Sequence, residues 1–293
     1  MRTPSTRELG EVRERWREIL EGPPGPDDDE HVGDRDLTRW DTPPGRALVR
    51  GAVWLWDRAE QVFGWAAPRW AVLLTLAVGL GLAALMAAGA GEVYESVAEG
   101  DGMAGLDQPV LDAAVGVRTD TANTLVTAFT DLGGKVGMPI LASAVALGLA
   151  ALWRSWTPIV LMAVTGAGSV LMTTAGKAAV GRTRPPLAEA VPPFESSFSF
   201  PSGHSLNSMA IALVVAYLLV RRLRHRWSRA LAVTGCVVFA LLMGMSRVYL
   251  GHHWLTDVLV AWALALGWVA LVVTGHRLWL TMRRRAVRSG AAA

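Results

Sequence analysis

The sequence predicts an all-α membrane protein whose core is a bundle of six transmembrane helices. Of its 293 residues, 52% are hydrophobic and only 18% are charged, and the mean hydropathy is +0.33. The apolar residues are concentrated in long runs, and most of the arginines lie in short clusters beside those runs. Arginines in that position set the orientation of a multi-pass membrane protein, so the net charge of +3 does not indicate nucleic-acid binding.

Residues 1–66 are predicted to be a cytoplasmic extension. Residues 1–50 are rich in Arg, Glu and Asp and bury too little apolar surface to offset their ordering entropy, which predicts a partly disordered tail. Residues 46–65 mix Trp, Leu and Val with charged side chains in the manner of an amphipathic helix. Such a helix lies on the membrane surface or packs against the bundle. The start of the chain does not have the pattern of a secretory signal peptide.

Six apolar runs between residues 67 and 278 are predicted to form the core. Residues 70–90 carry no charge and are long enough to cross a hydrocarbon core of roughly 30 Å. The fourth and fifth runs are short, and they reach full length only if flanking polar residues face protein rather than lipid. The remaining five runs are residues 136–153, 157–176, 206–220, 230–245 and 258–275.

The arginine clusters predict the orientation of the bundle. One cluster lies between the fourth and fifth runs and another follows the sixth, and both belong on the cytoplasmic side. Counting the crossings from there puts both termini inside, with residues 279–293 as a basic cytoplasmic tail. The acidic segment 92–131 then lies outside.

Two connections, after the third and fifth runs, carry the polar residues of greatest interest. Because two crossings separate these connections, both emerge on the extracytoplasmic face. Ionisable groups beside apolar runs are costly and usually serve a function. The candidate residues are Lys177, Arg184, Ser202, Gly203 and His204 in the first connection, and Arg247, His253 and Asp257 in the second.

These residue types point to phosphate chemistry. His253 and Asp257 are four residues apart, so on a helix the carboxylate can hold one ring nitrogen and leave the other free to react. Taken alone, such a pair is more often a structural hydrogen bond. Three cations, and Ser202 at a helix N-terminus, provide a site for a tetrahedral oxyanion. Two histidines then divide the work, His253 as the nucleophile and His204 as the acid.

A metal site is the competing interpretation of a His and Asp cluster. Magnesium prefers carboxylate and phosphate oxygens, but the one obvious carboxylate here is committed to His253. Zinc on the two histidines and Asp257 would be opposed by the three cations. The single cysteine, Cys236, excludes an intramolecular disulfide and a Cys-rich metal site. We therefore expect neither a metal nor another cofactor.

The spacing of these residues resembles the three-part signature of the type 2 phosphatidic acid phosphatase (PAP2) family. The matching parts are Lys177, six intervening residues and Arg184-Pro185; Pro201-Ser202-Gly203-His204; and Ser246-Arg247, five intervening residues, His253, three more and Asp257. The resemblance implies a six-helix membrane core and metal-independent removal of phosphate from lipid phosphates or diphosphates. It also implies a phosphohistidine at His253 and phosphate binding by Lys177, Arg184, Ser202, Gly203 and Arg247. Arg182 and His252 fall outside the motif positions, and we expect them to be surface or rim groups.

Two other functions are weighed against a lipid phosphatase. Vanadium-dependent haloperoxidases have a similar pocket, but they are soluble, whereas this chain has six apolar runs. A non-catalytic lipid-phosphate binder would lack a catalytic residue, and none is missing. The expected partners are membrane lipids and a lipid phosphate or diphosphate, such as phosphatidic acid, phosphatidylglycerol phosphate or undecaprenyl diphosphate. The preferred role is diphosphate recycling at a bacterial cell membrane, and the sequence does not specify an oligomeric state.

Overall fold

A computed structural model describes residues 31–32, 35–37, 40, 42–63 and 102–288. This part of the chain is helical, apart from one antiparallel pair of two-residue strands, β1 (His31–Val32) and β2 (Arg35–Asp36). Short 3-10 helices occur at Gly102–Leu106 and Leu187–Glu189. The α-helices are α1 (Pro43–Phe63), α2 (Asp107–Gly116), α3 (Asp120–Asp131), α4 (Gly137–Trp153), α5 (Thr157–Val180), α6 (Gly203–Arg222), α7 (Arg226–Tyr249) and α8 (Leu255–Arg288). The all-α prediction is therefore confirmed for the described core.

Four of these helices, α5 to α8, are long and apolar enough to cross a membrane. Helix α4 is also apolar, but its 17 residues rise only about 26 Å, less than a hydrocarbon core of roughly 30 Å. The second to sixth predicted runs thus all coincide with helices. The second run corresponds to the short helix α4. The first run, residues 70–90, lies outside the described residues, so the count of six spans stays a prediction.

Helix α6 lies at the centre of the bundle, with α5, α7 and α8 packed around it. Of the most apolar 18-residue stretch of α6, 56% is buried inside the bundle, compared with 28% for the same length of α5 and of α8 and 33% for α7. The outer helices expose large apolar side chains, among them Leu171, Leu231 and Leu266. Such a surface is unfavourable in water and is solvated by lipid acyl chains, so the chain is a membrane protein.

The segment that leads into α6 is held against the neighbouring helix α5. Gly176 of α5 faces Pro201, and a Cβ at that position would lie 2.6 Å from the Cδ of Pro201. The absence of a side chain therefore lets the two backbones approach. Ser202 then caps α6 by accepting a hydrogen bond from the backbone N–H of Ser205. These contacts lay residues 181–202 across one end of the bundle.

The N-terminal extension docks on the far part of α8. The guanidinium of Arg277 lies 4.3 Å from the ring centroid of Trp40, and its Nε donates to the carbonyl of Leu37 at 3.0 Å. Helix α1 begins at Pro43 and overlaps the predicted amphipathic segment 46–65, whose place on the membrane surface stays a prediction. Most of the predicted disordered tail lies outside the described residues.

The predicted core boundary at residue 278 falls inside α8, because this helix continues to Arg288. Most of the predicted C-terminal tail, 279–293, is therefore helical, and residues 289–293 lie outside the described part. The acidic segment 92–131 contains α2 and α3 in its described portion. These two helices cover the same end of the bundle as residues 181–202, through contacts described below.

Candidate active site

The two predicted connections meet at one end of the bundle. The first links the C-terminal end of α5 to the N-terminal end of α6, and the second links α7 to α8. Backbone hydrogen bonds join them, from Val191 N–H to the Leu250 carbonyl at 2.9 Å and from Ser202 N–H to the Asp257 carbonyl at 3.3 Å. The structure thus brings the eight predicted site residues to one region.

His253 lies between a carboxylate and an arginine. Its Nδ1 is 3.3 Å from Oδ2 of Asp257, one helical turn along, and its Nε2 is 3.2 Å from Nη1 of Arg184. The same Oδ2 accepts from Trp254 N–H at 3.0 Å and from the hydroxyl of Ser199. Because the Asp257 carboxylate can only accept a hydrogen bond, the proton of the neutral ring is on Nδ1. The lone pair of Nε2 is then directed toward Arg184.

Local backbone geometry and electrostatics keep His253 in this state. Gly251 adopts a positive φ of 70°, and a Cβ there would also collide with the carbonyl of Glu189, so this turn requires glycine. Full burial lowers the pKa of His253 well below its usual value, and the positive charges of Arg184 and Arg247 lower it further. The imidazole is therefore neutral at physiological pH, as a nitrogen nucleophile must be.

A second carboxylate supports Asp257 through Arg182. Nη1 of Arg182 donates to Oδ1 of Asp257 at 2.7 Å, and its Nη2 donates to Oδ2 of Asp107 at 2.7 Å. Asp107, in α2, also accepts from the backbone N–H and the hydroxyl of Thr256 at 2.9 and 2.7 Å. All of these residues are buried. The expectation that Arg182 is a surface or rim group is wrong, because its guanidinium bridges two buried carboxylates.

His252 was expected at the surface as well, and that expectation is also wrong. Its side chain is buried, and its Nε2 is 2.7 Å from the carbonyl oxygen of Val191. Burial and then the charge of Arg247 lower its pKa to about 4, so the ring is neutral and donates this hydrogen bond. His252 therefore ties the two connections together.

The predicted phosphate-binding cations are grouped around the segment 195–199. Arg184 donates from Nε to the Ser197 carbonyl at 2.7 Å, and Lys177 contacts the Phe198 carbonyl. Arg247 is buried against α3, where its Nη1 donates to the Thr130 hydroxyl at 3.3 Å. The Nε of Arg247 has no hydrogen-bond partner among the described residues, which leaves a buried donor available to an anion.

Glu195 joins the two arginines and is an acid that the sequence did not indicate. Its Oε1 lies 2.7 Å from Nη2 of Arg247, and its Oε2 lies 3.6 Å from Nη2 of Arg184. Burial raises the pKa of this carboxyl, but the charges of Arg247 and Arg184 outweigh burial and lower it to about 2. Glu195 is therefore ionised, and it occupies the anion position between the two arginines.

Ser202, Gly203 and His204 form the N-terminal end of α6. The Ser202 hydroxyl is buried and accepts from the Ser205 hydroxyl at 2.8 Å, so it acts as the helix cap. A Cβ on Gly203 would come 3.1 Å from a methyl group of Thr173, so the helix start packs closely on α5. A helix N-terminus presents N–H groups that favour an anion.

His204 is placed differently from His253. Its side chain is partly buried and makes no hydrogen bond to another described residue. Its Nε2 lies beside Gly134 in the loop between α3 and α4, 3.6 Å from where a Cβ on that glycine would be. The ring is therefore free to exchange a proton with a bound molecule.

The sequence of the chain is similar to those of one family of proteins. Residues 142–280 match the model of the PAP2 superfamily. Phosphatidylglycerophosphatase B of Bacillus subtilis is 36% identical over 164 residues, which cover 55% of this chain and 78% of that protein. The chain belongs to the PAP2 superfamily. Its similarity to proteins named as phosphatases makes it a phosphatase.

Two further relatives extend the comparison. A crystal structure of a transmembrane PAP2-type phosphatidylglycerolphosphate phosphatase from Bacillus subtilis is 32% identical, with a TM-score of 0.55, over 64% of this chain and 93% of that one. Undecaprenyl-diphosphatase BcrC of Bacillus subtilis is 36% identical over 67 residues, 23% of this chain and 30% of that protein.

Within the described residues, no group of three or more His, Cys, Asp or Glu side chains forms a candidate metal site. The reaction without a metal stays a prediction. The residues that sequence reasoning missed are Asp107, Thr130, Arg182, Glu195, Ser199 and Thr256.

Proposed function

We propose that this chain is an integral-membrane lipid phosphate phosphatase that works through a phosphohistidine at His253, without a metal ion. One observation carries the proposal: the two ring nitrogens of His253 lie between the Asp257 carboxylate and the Arg184 guanidinium. One nitrogen is held by the acceptor that fixes the tautomer, and the other faces a cation suited to hold a phosphoryl oxygen.

Arg184, Arg247 and Lys177 bind the phosphoryl group, assisted by the N–H groups at the start of α6. Guanidinium groups match the geometry of phosphate oxygens and neutralise charge on the phosphoryl group during transfer. The buried Arg247 Nε adds a donor that the described residues leave unused. This cluster of cations does for the phosphoryl group what a metal ion does in other phosphatases.

In the first step, Nε2 of His253 attacks phosphorus and the bond from phosphorus to the lipid oxygen breaks. His204 gives its proton to that oxygen, and the lipid alcohol or lipid phosphate leaves. Asp257 stabilises the positive charge that develops on the His253 ring.

In the second step, a water molecule gives a proton to His204 and its oxygen attacks phosphorus. The bond between phosphorus and Nε2 then breaks, inorganic phosphate departs, and His253 returns to the neutral state. His204 thus serves as the acid in the first step and as the base in the second, because the proton that it gave to the leaving oxygen is replaced by one from water.

The active site is proposed to open on the extracytoplasmic face of a bacterial cell membrane, with both termini in the cytoplasm. Support comes from the direction of α6. The site lies at its N-terminal end, whereas Arg221 and Arg222 lie in its last turn and Arg226 begins α7. Basic residues favour the cytoplasmic side, so the opposite end carries the site.

The relatives favour phosphatidylglycerol phosphate as the first substrate to test. The similarity to phosphatidylglycerophosphatase B extends over 78% of that protein, and that to undecaprenyl-diphosphatase BcrC over only 30%. Phosphatidic acid and undecaprenyl diphosphate remain the other two candidates, since the same pocket suits any terminal phosphoryl group.

Purified protein in detergent provides the test. We expect release of inorganic phosphate from phosphatidylglycerol phosphate in the presence of EDTA, and we expect His253→Ala to abolish it. Because phosphohistidine is labile in acid and stable in alkali, samples with a labelled terminal phosphate are quenched in alkaline detergent, and they should show label on the wild-type protein and none on His253→Ala. Loss of activity with EDTA, or full activity of His253→Ala, would refute the mechanism.

A further inference from the structure

Glu195 occupies the place that the proposed function assigns to the substrate. Its carboxylate is 2.7 Å from Arg247 and 3.6 Å from Arg184, the two arginines proposed to bind phosphate. A carboxylate is itself a planar oxyanion for which a guanidinium is the preferred partner. Glu195 and a phosphoryl group therefore cannot both make close contacts with the same face of Arg247.

The arginine is the fixed member of this pair. The Arg247 side chain is only 2% exposed, and its Nη1 is held by Thr130, whereas the Glu195 side chain is 22% exposed. The segment just after Glu195 is also anchored, because Ser197 and Phe198 accept hydrogen bonds from Arg184. Glu195 is therefore the side chain of this pair that has room to rotate toward solvent.

The exchange is between two anions at every physiological pH. With a pKa of about 2, Glu195 remains charged from acid to alkaline conditions, so no proton is needed to release it. Before substrate binds, the carboxylate satisfies two buried cations that would otherwise repel each other. After hydrolysis, the same carboxylate competes with inorganic phosphate for the arginines.

We propose that Glu195 competes with the phosphoryl group for Arg247 and Arg184, and that its return after hydrolysis promotes the release of inorganic phosphate. This inference rests on the proposed function, because it takes the two arginines as the phosphate site. Glu195 weakens substrate and product binding alike, and turnover gains because a product that binds tightly slows the cycle.

The test is equilibrium binding of inorganic phosphate to purified protein, together with steady-state hydrolysis of phosphatidylglycerol phosphate. Glu195→Gln keeps the size of the side chain and removes its charge. We expect Glu195→Gln to bind inorganic phosphate on the order of tenfold more tightly than wild type. We also expect a lower KM, with kcat reduced because phosphate leaves more slowly.

Glu189→Gln is the matched control. Glu189 lies in the same connection, and its carboxylate makes no ion pair with Arg184 or Arg247 in the described structure. This variant should bind inorganic phosphate as wild type does. Glu195→Asp, which keeps the charge, should stay closer to wild type than Glu195→Gln, and thermal unfolding of each variant checks that the bundle is intact.

Weaker or unchanged phosphate binding in folded Glu195→Gln would overturn the inference, because it would make Glu195 a group that positions Arg247 instead. That failure is separate from failure of the proposed function. If wild type hydrolyses the lipid phosphate, the function stands whatever Glu195→Gln does. If wild type neither hydrolyses a lipid phosphate nor binds inorganic phosphate, both proposals fall.

Discussion

Arg182 and Asp257 form a buried ion pair, with Nη1 2.7 Å from Oδ1 and side chains that are 8% and 0% exposed. The other carboxylate oxygen of Asp257 faces His253. Arg182 thus holds the carboxyl group from the side opposite to the histidine. Because Asp107 anchors the far end of the guanidinium, the orientation of His253 depends on a residue of α2, outside the matched residues 142–280.

Replacing Arg182 with Lys should reduce kcat on the order of 10²-fold, because an ammonium cannot donate to both carboxylates in the fork geometry and His253 loses its alignment. KM and the binding of inorganic phosphate should change little, since the Arg182 side chain bonds to Asp107, Thr256 and Asp257 and lies over the ring of Trp254, away from the proposed phosphate-binding groups. Steady-state kinetics and phosphate binding measure this division.

Asp107→Asn should also lower kcat, but by less than Arg182→Lys does. The double variant should resemble Arg182→Lys alone, because the two residues act as one unit. A rise in KM without a fall in kcat, or losses that simply multiply, would rule out this positioning role.

The apolar runs were sufficient to predict most of the described bundle. An uninterrupted apolar run in lipid must satisfy its backbone hydrogen bonds internally, which a helix does. Composition and length therefore predict α4 to α8. Motif spacing also anticipated the contact between His253 and Asp257, because residues four apart share a helix face. These are local relationships, which a sequence displays directly.

The site residues that the sequence did not predict are placed by contacts between segments far apart in the chain. Asp107 is separated from Arg182 by 75 positions and from Thr256 by 149, and nothing local marks it as a partner. Glu195 is 52 positions from Arg247, within a stretch of Pro, Phe and Ser. One signal was available for Arg182: it lies two residues from Arg184 ahead of a proline, where an extended backbone turns alternate side chains the same way.

His204→Gln separates proton donation from nucleophilic attack. With phosphatidylglycerol phosphate we expect kcat to fall about 10²–10⁴-fold, because the departing alkoxide receives no proton. With p-nitrophenyl phosphate, whose leaving group needs no proton, the fall in the first step should be much smaller, and burst kinetics measure that step. Equal losses with both substrates would contradict the role of His204 as the acid.

Stability should fall in mild acid, partly through His252. Burial and the charge of Arg247 lower its pKa to about 4, whereas a histidine in an unfolded chain has a pKa of about 6.5. Between these values the unfolded chain binds a proton that the folded protein does not, so the free energy of unfolding decreases as the pH falls through this window.

Replacing His252 with Gln should reduce that pH dependence, because an amide can still donate to the Val191 carbonyl but does not titrate. We therefore expect the melting temperature of His252→Gln in detergent to fall less than that of wild type when the pH is lowered from about 7 to about 4.5. His253 contributes in both proteins and cancels in the comparison. Parallel melting curves across this range would show that His252 does not contribute.

The same substitution at two glycines should have opposite effects. At Gly176, a Cβ would lie 2.6 Å from the Cδ and 3.2 Å from the Cγ of Pro201, a rigid ring that must shift to make room. Overpacking of this kind costs about 1–3 kcal/mol, and the shift would displace Ser202 and His204, which follow Pro201 directly. Gly176→Ala should therefore lower both the melting temperature and kcat.

Gly148 in α4 has no atom within 4 Å of the position that a Cβ would take, so Gly148→Ala should leave stability unchanged or raise it by up to about 1 kcal/mol, with wild-type activity. Thermal unfolding and phosphate release on the two variants make the comparison, and equal behaviour of the pair would mean that close packing of α5 on Pro201 does not position the site.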